Sequence, residues 1–201
     1  AVLSRFLADC RRAVGELRIE RACLGVAGPV EGARVRMTNR AWTIEADAVS
    51  AQIGGARVVL LNDFEAAAHG INALAPEDLL TMQKGAPRPD GAQVVIGAGT
   101  GLGVAYRIWT GDRHQVVAGE GGHTGFAPAD EQQSALLRAL LPTLGRVSAE
   151  HIVSGVGLAR IHGFLRQKSG TAATAGTEDP AEISHRALTT GDPLAARALD
   201  L

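Results

Sequence analysis

Strands alternating with helices predict an α/β layered fold with some parallel pairing. Three observations carry this reading. A buried apolar strand at about Ala22–Val26 is closed by Gly28-Pro29. The apolar run Val58, Val59, Leu60, Leu61 ends in Asn62 and Asp63 and meets an alanine-rich helix. A third run, Val94, Val95, Ile96, opens directly into a glycine-rich turn.

The elements follow in order. Leu3, Phe6, Leu7, Cys10 and Val14 fall at helical spacing, so the chain opens in an amphipathic helix. After the first strand, Ala33–Met37 reads as a short strand leading into Thr38-Asn39. Thr43 is placed to cap a helix running to about Ile53, with Gly54-Gly55 as its stop. The strand at 57–61 and the helix from about Phe64 to Leu74 complete a first unit, residues 1–74. A second unit, residues 75–201, begins near Ala75, and Lys84–Gly91 is a loop by composition. Val104–Trp109 and Gln115–Ala118 are strand-like and flank the hairpin signal Thr110-Gly111-Asp112-Arg113. Helices are expected at about 131–141, 148–153 and 157–167. Ser169–Pro180 is a small, polar, low-complexity loop, and a helical pattern occupies Pro193–Leu201. No internal repeat is present.

Composition bounds the function. The chain has 201 residues, 46% hydrophobic and 20% charged, as expected of a soluble globular core. The formal net charge of −1 gives no reason to expect nucleic acid or a membrane surface as partner. Cys10 lies on an apolar helical stripe and Cys23 in an apolar strand, so both are expected to be buried free thiols. They form neither a zinc pattern nor a disulfide framework. No apolar run approaches the roughly 18 residues that span a bilayer. No signal peptide opens the chain, so a cytoplasmic protein is the plain expectation.

Three segments carry chemistry. Asp63 sits where a strand meets a helix, and the carboxyl ends of strands in open α/β sheets are where ligands bind. A carboxylate there can orient a hydroxyl and accept its proton as a new bond forms. Asn62 beside it can donate and accept hydrogen bonds. The plainer reading is that Asp63 caps the helix, and the dipeptide alone favours the cap.

The loop Gly97-Ala98-Gly99-Thr100-Gly101-Leu102-Gly103 is neither a P-loop nor a dinucleotide fingerprint. It is a strand–turn–strand whose backbone N–H groups can converge on phosphate, with the Thr100 hydroxyl as an added donor. Four glycines in seven residues exceed what a hairpin needs, which favours a functional role.

Glu120 and His123 lie among Gly119, Gly121 and Gly122. A carboxylate can accept from two vicinal hydroxyls, and an imidazole can donate or accept. Local evidence does not separate this from a surface turn, and the pair offers too few ligands for a metal site. Glu150 follows Ser148, a candidate cap, and alone reads as an acid near a helix N-terminus. His69, His114, His151, His162 and His185 read as scattered surface or helix residues.

Taken together, six ordered segments resemble bacterial glucokinase. They are Gly25–Pro29; Met37-Thr38-Asn39 with Trp42; Leu61-Asn62-Asp63-Phe64; Gly97–Gly103; Gly119–His123 with Phe126-Ala127-Pro128; and Val147–Glu150 with Ser154-Gly155. The resemblance runs from about Leu24 to Leu165. It implies a two-lobed hexokinase/actin-like (ribonuclease H-like) fold, with D-glucose and ATP with Mg2+ as ligands, and a homodimer. It implies that Asp63 is the base toward the glucose 6-hydroxyl. Asn62, Glu120, His123 and Glu150 would then bind the sugar, and Gly97, Gly99, Thr100 and Gly101 would line the ATP phosphates. On this reading the roles of Asp63 and Glu150 outweigh capping.

The resemblance also implies departures. The family's N-terminal Asp-x-Gly-Gly-Thr phosphate loop and its C-terminal adenosine segment are not matched, so the fold is expected to be incomplete at both ends. Gly125 stands where the family often has Asp. The expected activity is phosphorylation of glucose to glucose 6-phosphate, the first step of glycolysis. The rivals are a catalytically inactive sugar-binding module and a sugar-responsive regulator. The second is disfavoured because neither a helix–turn–helix nor a Cys-rich segment is present.

Overall fold

The computed structural model describes residues 2–37, 41–170 and 178–201. The opening helix forms as α1 (Val2–Val14). Its apolar stripe is wider than the surface it covers. Leu3 and Leu7 pack inward against Val49 and Ile53, whereas Phe6 and Val14 stay exposed.

After β1 (Arg21–Val26) the chain builds a small antiparallel sheet from β2 (Val30–Glu31), β3 (Arg34–Arg36) and β4 (Thr43–Glu45). Helix α2 (Ala46–Gln52) then leads to β5 (Arg57–Asn62), which pairs parallel with β1 from Arg21↔Arg57 to Val26↔Asn62. This supplies the expected parallel pairing. Thr43 does not cap a helix: it pairs with Arg36 in the small sheet, and Glu45 precedes the first turn of α2. The stop is as expected, since Gly54 and Gly55 adopt φ of 82° and 84°, which favours glycine. Thr38 and Asn39 lie outside the described residues.

The thiols are not both buried. Cys10 is half-buried and Cys23 is exposed. Along β1 the alternation sends Ala22, Leu24 and Val26 into the core and Cys23 to the other face. Helix α3 (Asp63–Gly70) covers that face only near Gly25, where a Cβ would sit 3.0 Å from the Ala66 side chain.

Helix α3 continues through a 3-10 turn at Ile71–Ala73. It packs on one face of an antiparallel meander, β6 (Gln93–Ala98), β7 (Leu102–Trp109) and β8 (His114–Gly119). The Thr110–Arg113 turn closes as expected, with Thr110 N donating to Arg113 O at 2.9 Å. Buried Arg107 donates from Nη1 to Gln93 Oε1 and from Nη2 to Asn72 Oδ1 of the 3-10 turn, which ties the end of α3 to the meander, while its Nε has no partner among the described residues. The opposite face presents Val94, Ile96, Tyr106 and Val117, all exposed.

The remaining chain is helical: α4 (Glu131–Leu144), α5 (Gly155–Lys168), α6 (Pro180–His185), a π-helical turn at Arg186–Thr190, and α7 (Pro193–Asp200). Leu136, Ile152, Ile161, Leu165 and Ile183 form its core. The helix expected at 148–153 is absent. Ser148 instead bridges Gly125, and the following residues turn into α5, whose N-cap is Ser154. Most of the Ser169–Pro180 loop lies outside the described residues.

One polar cluster pins these helices together. His162, buried on α5, places Nδ1 2.7 Å from Glu178 Oε2, and Arg186 Nη1 donates to Glu178 Oε1 at 2.9 Å. The Arg186 hydrogen bond, aided by neighbouring His162 and Arg166, holds the Glu178 carboxyl below the usual range against the opposing effect of burial. The Asp192 carboxyl is lowered mainly by the Ala195 and Leu194 backbone N–H groups it caps, and also by Arg186.

Candidate active site

The end of β5 and the start of α3 form the first wall of the site. Asn62 is the N-cap of α3. Its Oδ1 accepts from Phe64 N at 2.9 Å and Glu65 N at 3.2 Å, while Glu65 Oε2 accepts from Asn62 N at 3.3 Å. Its Nδ2 donates to Gly28 O at 3.3 Å, fixing the side chain to the β1 end as well. The sequence assigns the cap to Asp63, and the structure moves it one residue back. Asp63 is the first helical residue, exposed, with Oδ1 accepting from Phe64 N at 3.0 Å. It stands at the positive end of the helix, where a carboxylate is favoured.

The second wall is the Gly97–Gly103 hairpin, and its glycines have separate reasons. Gly97 and Gly103 are direct cross-strand partners. A Cβ on them would lie 2.9 Å and 1.9 Å from the Phe64 ring. A Cβ on Gly101 would lie 2.4 Å from Glu150 Oε2. Gly99 alone of the four has no atom within 4 Å of that position. The turn is closed by Gly99 N donating to Gly101 O at 2.8 Å. Gly99 O accepts from Gly155 N at 2.8 Å, anchoring the turn to the start of α5. Among the described residues, the Thr100 and Gly101 N–H groups make no hydrogen bond, and Thr100 is exposed.

The third wall is the 119–123 loop. Gly121–His123 forms a 3-10 turn beneath which Gly122 is buried, and a Cβ there would meet Leu102 O at 2.1 Å. Glu120 and His123 stand side by side and exposed, with His123 Nε2 3.5 Å from Glu120 Oε2. Arg146 Nη2 donates to His123 O at 2.7 Å, bracing the loop from behind.

The turn carrying Glu150 is stitched to this loop: Ala149 N donates to Thr124 O at 2.8 Å and Glu150 N to Gly122 O at 2.9 Å. Glu150 therefore lies in a turn and not in the first turn of a helix. Its Oε2 accepts from Leu102 N at 2.9 Å, on the glycine hairpin.

All these walls enclose one cleft of about 570 Å³. Asn62, Asp63, Gly97, Gly99, Thr100, Gly101, Glu120, His123 and Glu150, every site residue expected from sequence, line it. Sequence reasoning did not assign Phe64 or Gly28, which line it too. Gly28 has φ of 140°, and its pairing with Pro29 was the available signal. A carboxylate at a strand end, an anion-compatible turn and a cluster of sugar-compatible acceptors thus face a common space. Among the described residues, no helix is long and apolar enough to cross a membrane.

The architecture is the mixed α/β fold of the sugar kinases. The crystal structure of a glucokinase from an Antarctic psychrotroph matches 98% of this chain with a TM-score of 0.79 at 27% identity, covering 61% of that protein. A glucokinase from Balamuthia mandrillaris, solved in complex with glucose, shares the fold with a TM-score of 0.77 at 22% identity, covering 98% of this chain and 61% of that one. The family described as Glucokinase matches residues 1–201, and the chain belongs to that family. A glucokinase of Chromobacterium violaceum is 40% identical over 195 residues, 97% of this chain and 56% of the relative. The chain spans about half the length of the curated relatives it matches.

Proposed function

We propose that this chain carries the sugar site and the phosphate turn of an ATP-dependent glucokinase. The observation that supports this most directly is the convergence of Asn62, Asp63, Glu120, His123 and Glu150 with the 97–101 turn on one cleft. Residues 1–74 and 75–201 form its two lobes, with α3 at their junction. D-glucose lies against Glu120, His123, Glu150 and Asn62, with its 6-hydroxyl toward Asp63. The hydroxyl oxygen bonds to the γ-phosphorus of ATP, the bond to the β–γ bridging oxygen breaks, and ADP leaves. Asp63 takes the hydroxyl proton as this happens. The Thr100 and Gly101 N–H groups and the Thr100 hydroxyl face the phosphates.

Magnesium would arrive with the nucleotide and neutralise phosphate charge. That ion commonly uses one or two carboxylates plus substrate phosphates. Among the described residues no cluster of three or more ligating side chains is present. The enzyme acts in the cytoplasm, at the first step of glycolysis, as a homodimer.

The test is a coupled assay for glucose 6-phosphate. It uses the protein expressed with its complete reading frame, supplied with glucose, ATP and magnesium. Turnover supports the proposal. Glucose binding without turnover would favour the inactive sugar-binding module instead, and absence of both would refute the sugar assignment.

A further inference from the structure

Phe64 occupies an unusual position between the walls of the cleft. Its backbone N–H is shared between Asn62 Oδ1 at 2.9 Å and Asp63 Oδ1 at 3.0 Å. Its ring faces the other way, onto the glycine hairpin. Gly97 and Gly103 are cross-strand partners, so together they leave one side-chain-free window in the β6–β7 ladder. The ring fills that window, because a Cβ at Gly103 would fall 1.9 Å from it and a Cβ at Gly97 2.9 Å. One residue thus touches both sugar-side polar groups through its main chain and the phosphate-side hairpin through its side chain.

We infer that Phe64 is a positioning residue whose ring, seated in the Gly97/Gly103 window, holds Asp63 in register with the 99–101 turn. An aromatic ring suits this task. It is rigid, with few torsions to lose, and a β-sheet glycine pair offers it a flat floor. The ring has no polar atom to offer a ligand, so its effect is on distance. Phosphoryl transfer depends on holding the acceptor oxygen, the base and the phosphate in line, and a displacement of about 1 Å can cost on the order of 100-fold. The inference rests on the proposed kinase reading for its catalytic consequence, but the wedge itself is a property of the fold.

The experiment compares the parent protein, expressed with its complete reading frame, with Phe64→Leu, Gly103→Ala and the double variant. Phe64→Leu should lower kcat roughly 10- to 100-fold while the glucose KM stays within about threefold, the split expected when alignment rather than binding is lost. Amide hydrogen exchange at Gly99 and Leu102, whose N–H groups are bonded to Gly101 O and Glu150 Oε2, should speed up about tenfold, with β1 and β5 unchanged, because only the local restraint is gone. Gly103→Ala should be costly in the parent and less costly when combined with Phe64→Leu, which lacks the Cε and Cζ atoms that the methyl would meet. A kcat within about threefold of the parent overturns the inference. So do parallel losses of kcat, glucose affinity and unfolding midpoint, which would make the ring ordinary core packing. If the parent does not phosphorylate glucose, the proposed function fails separately. The exchange data then judge the wedge: unchanged exchange at Gly99 and Leu102 overturns it, and faster exchange there upholds it.

Discussion

The Glu150 carboxylate accepts the Leu102 amide proton at 2.9 Å, joining two segments 48 positions apart in sequence. Gly101 leaves the space this needs. The bond fixes the turn carrying Glu150 to the glycine hairpin, so the two halves of the cleft share a common frame. Glu150 uses one oxygen for this bond, and its other oxygen remains an acceptor.

Asp63 and Asn62 are neighbours with separable roles, and substitution should part them. Asp63→Ala is expected to lower kcat roughly 10²–10⁴-fold with a smaller change in glucose affinity, as for loss of a general base. Its thermal midpoint should stay close to the parent's, since the cap is elsewhere. Asn62→Ala should cost about 1 kcal/mol of stability from the lost cap. Steady-state kinetics beside thermal unfolding would decide. An Asp63→Ala variant with near-parental kcat would leave that residue without a chemical role.

Glu120→Gln, His123→Ala and Glu150→Gln should mainly weaken glucose binding, each by about 1–3 kcal/mol. Glutamine at 150 retains an acceptor for Leu102 N, so the frame should survive while charge-assisted contacts to hydroxyls are lost. Calorimetry with glucose and no nucleotide reads this directly. Parental affinity in all three variants would contradict the polyol-loop reading.

Glu178 sets a pH dependence of stability. Its carboxyl is held low in the fold, chiefly by the Arg186 hydrogen bond, against about 4.3 for a free glutamate. A depressed carboxyl contributes stability above the unfolded value, and that contribution is lost as pH falls through the lower folded value. Glu178→Gln should therefore destabilise by about 1–3 kcal/mol at neutral pH, since His162 and Arg186 lose a charged partner. The gap between parent and variant should narrow on acidification below about pH 4. Unfolding midpoints taken from pH 7 to 3 test this; a gap that does not change with pH would assign the effect to packing.

Much of the site was legible because its signals are local. A strand ending in Asn62-Asp63, a run of glycines after Ile96 and an acid–imidazole pair among glycines each occupy a few consecutive residues. The misreadings arise where distant partners decide. Ser148 looks like a cap, yet its neighbours give their N–H groups to Thr124 and Gly122 carbonyls rather than to a helix. Cys23 sits in an apolar strand, but alternation does not say which face is covered. Asp63 and Asn62 are both good caps, and the bond from Asn62 Nδ2 to Gly28 helps select the second. Helix α6 went unassigned although Asp179-Pro180 carries the ordinary cap and first-turn proline. The reason for Gly97 and Gly103 needs residue 64 brought against residues 97 and 103, which no local pattern reveals.

The glycine floor also shapes how this gene can vary. Every glycine codon begins with two guanines, and any single-base change that alters the residue adds at least a Cβ. At Gly103, Gly101 and Gly122 that atom would meet the Phe64 ring, the Glu150 carboxylate or the Leu102 carbonyl at 1.9, 2.4 and 2.1 Å. Gly103 and Gly122 have no mild missense neighbours, whereas at Gly101 the end of the Glu150 side chain can swing aside at the cost of its bond to Leu102 N. Gly99, in the same hairpin, has no atom within 4 Å of an added Cβ and can accept alanine without a protein clash. In a library of random point variants, the cleft wall should therefore divide sharply: Gly103, intolerant of a single methyl, would stand four residues from Gly99, which has room for one.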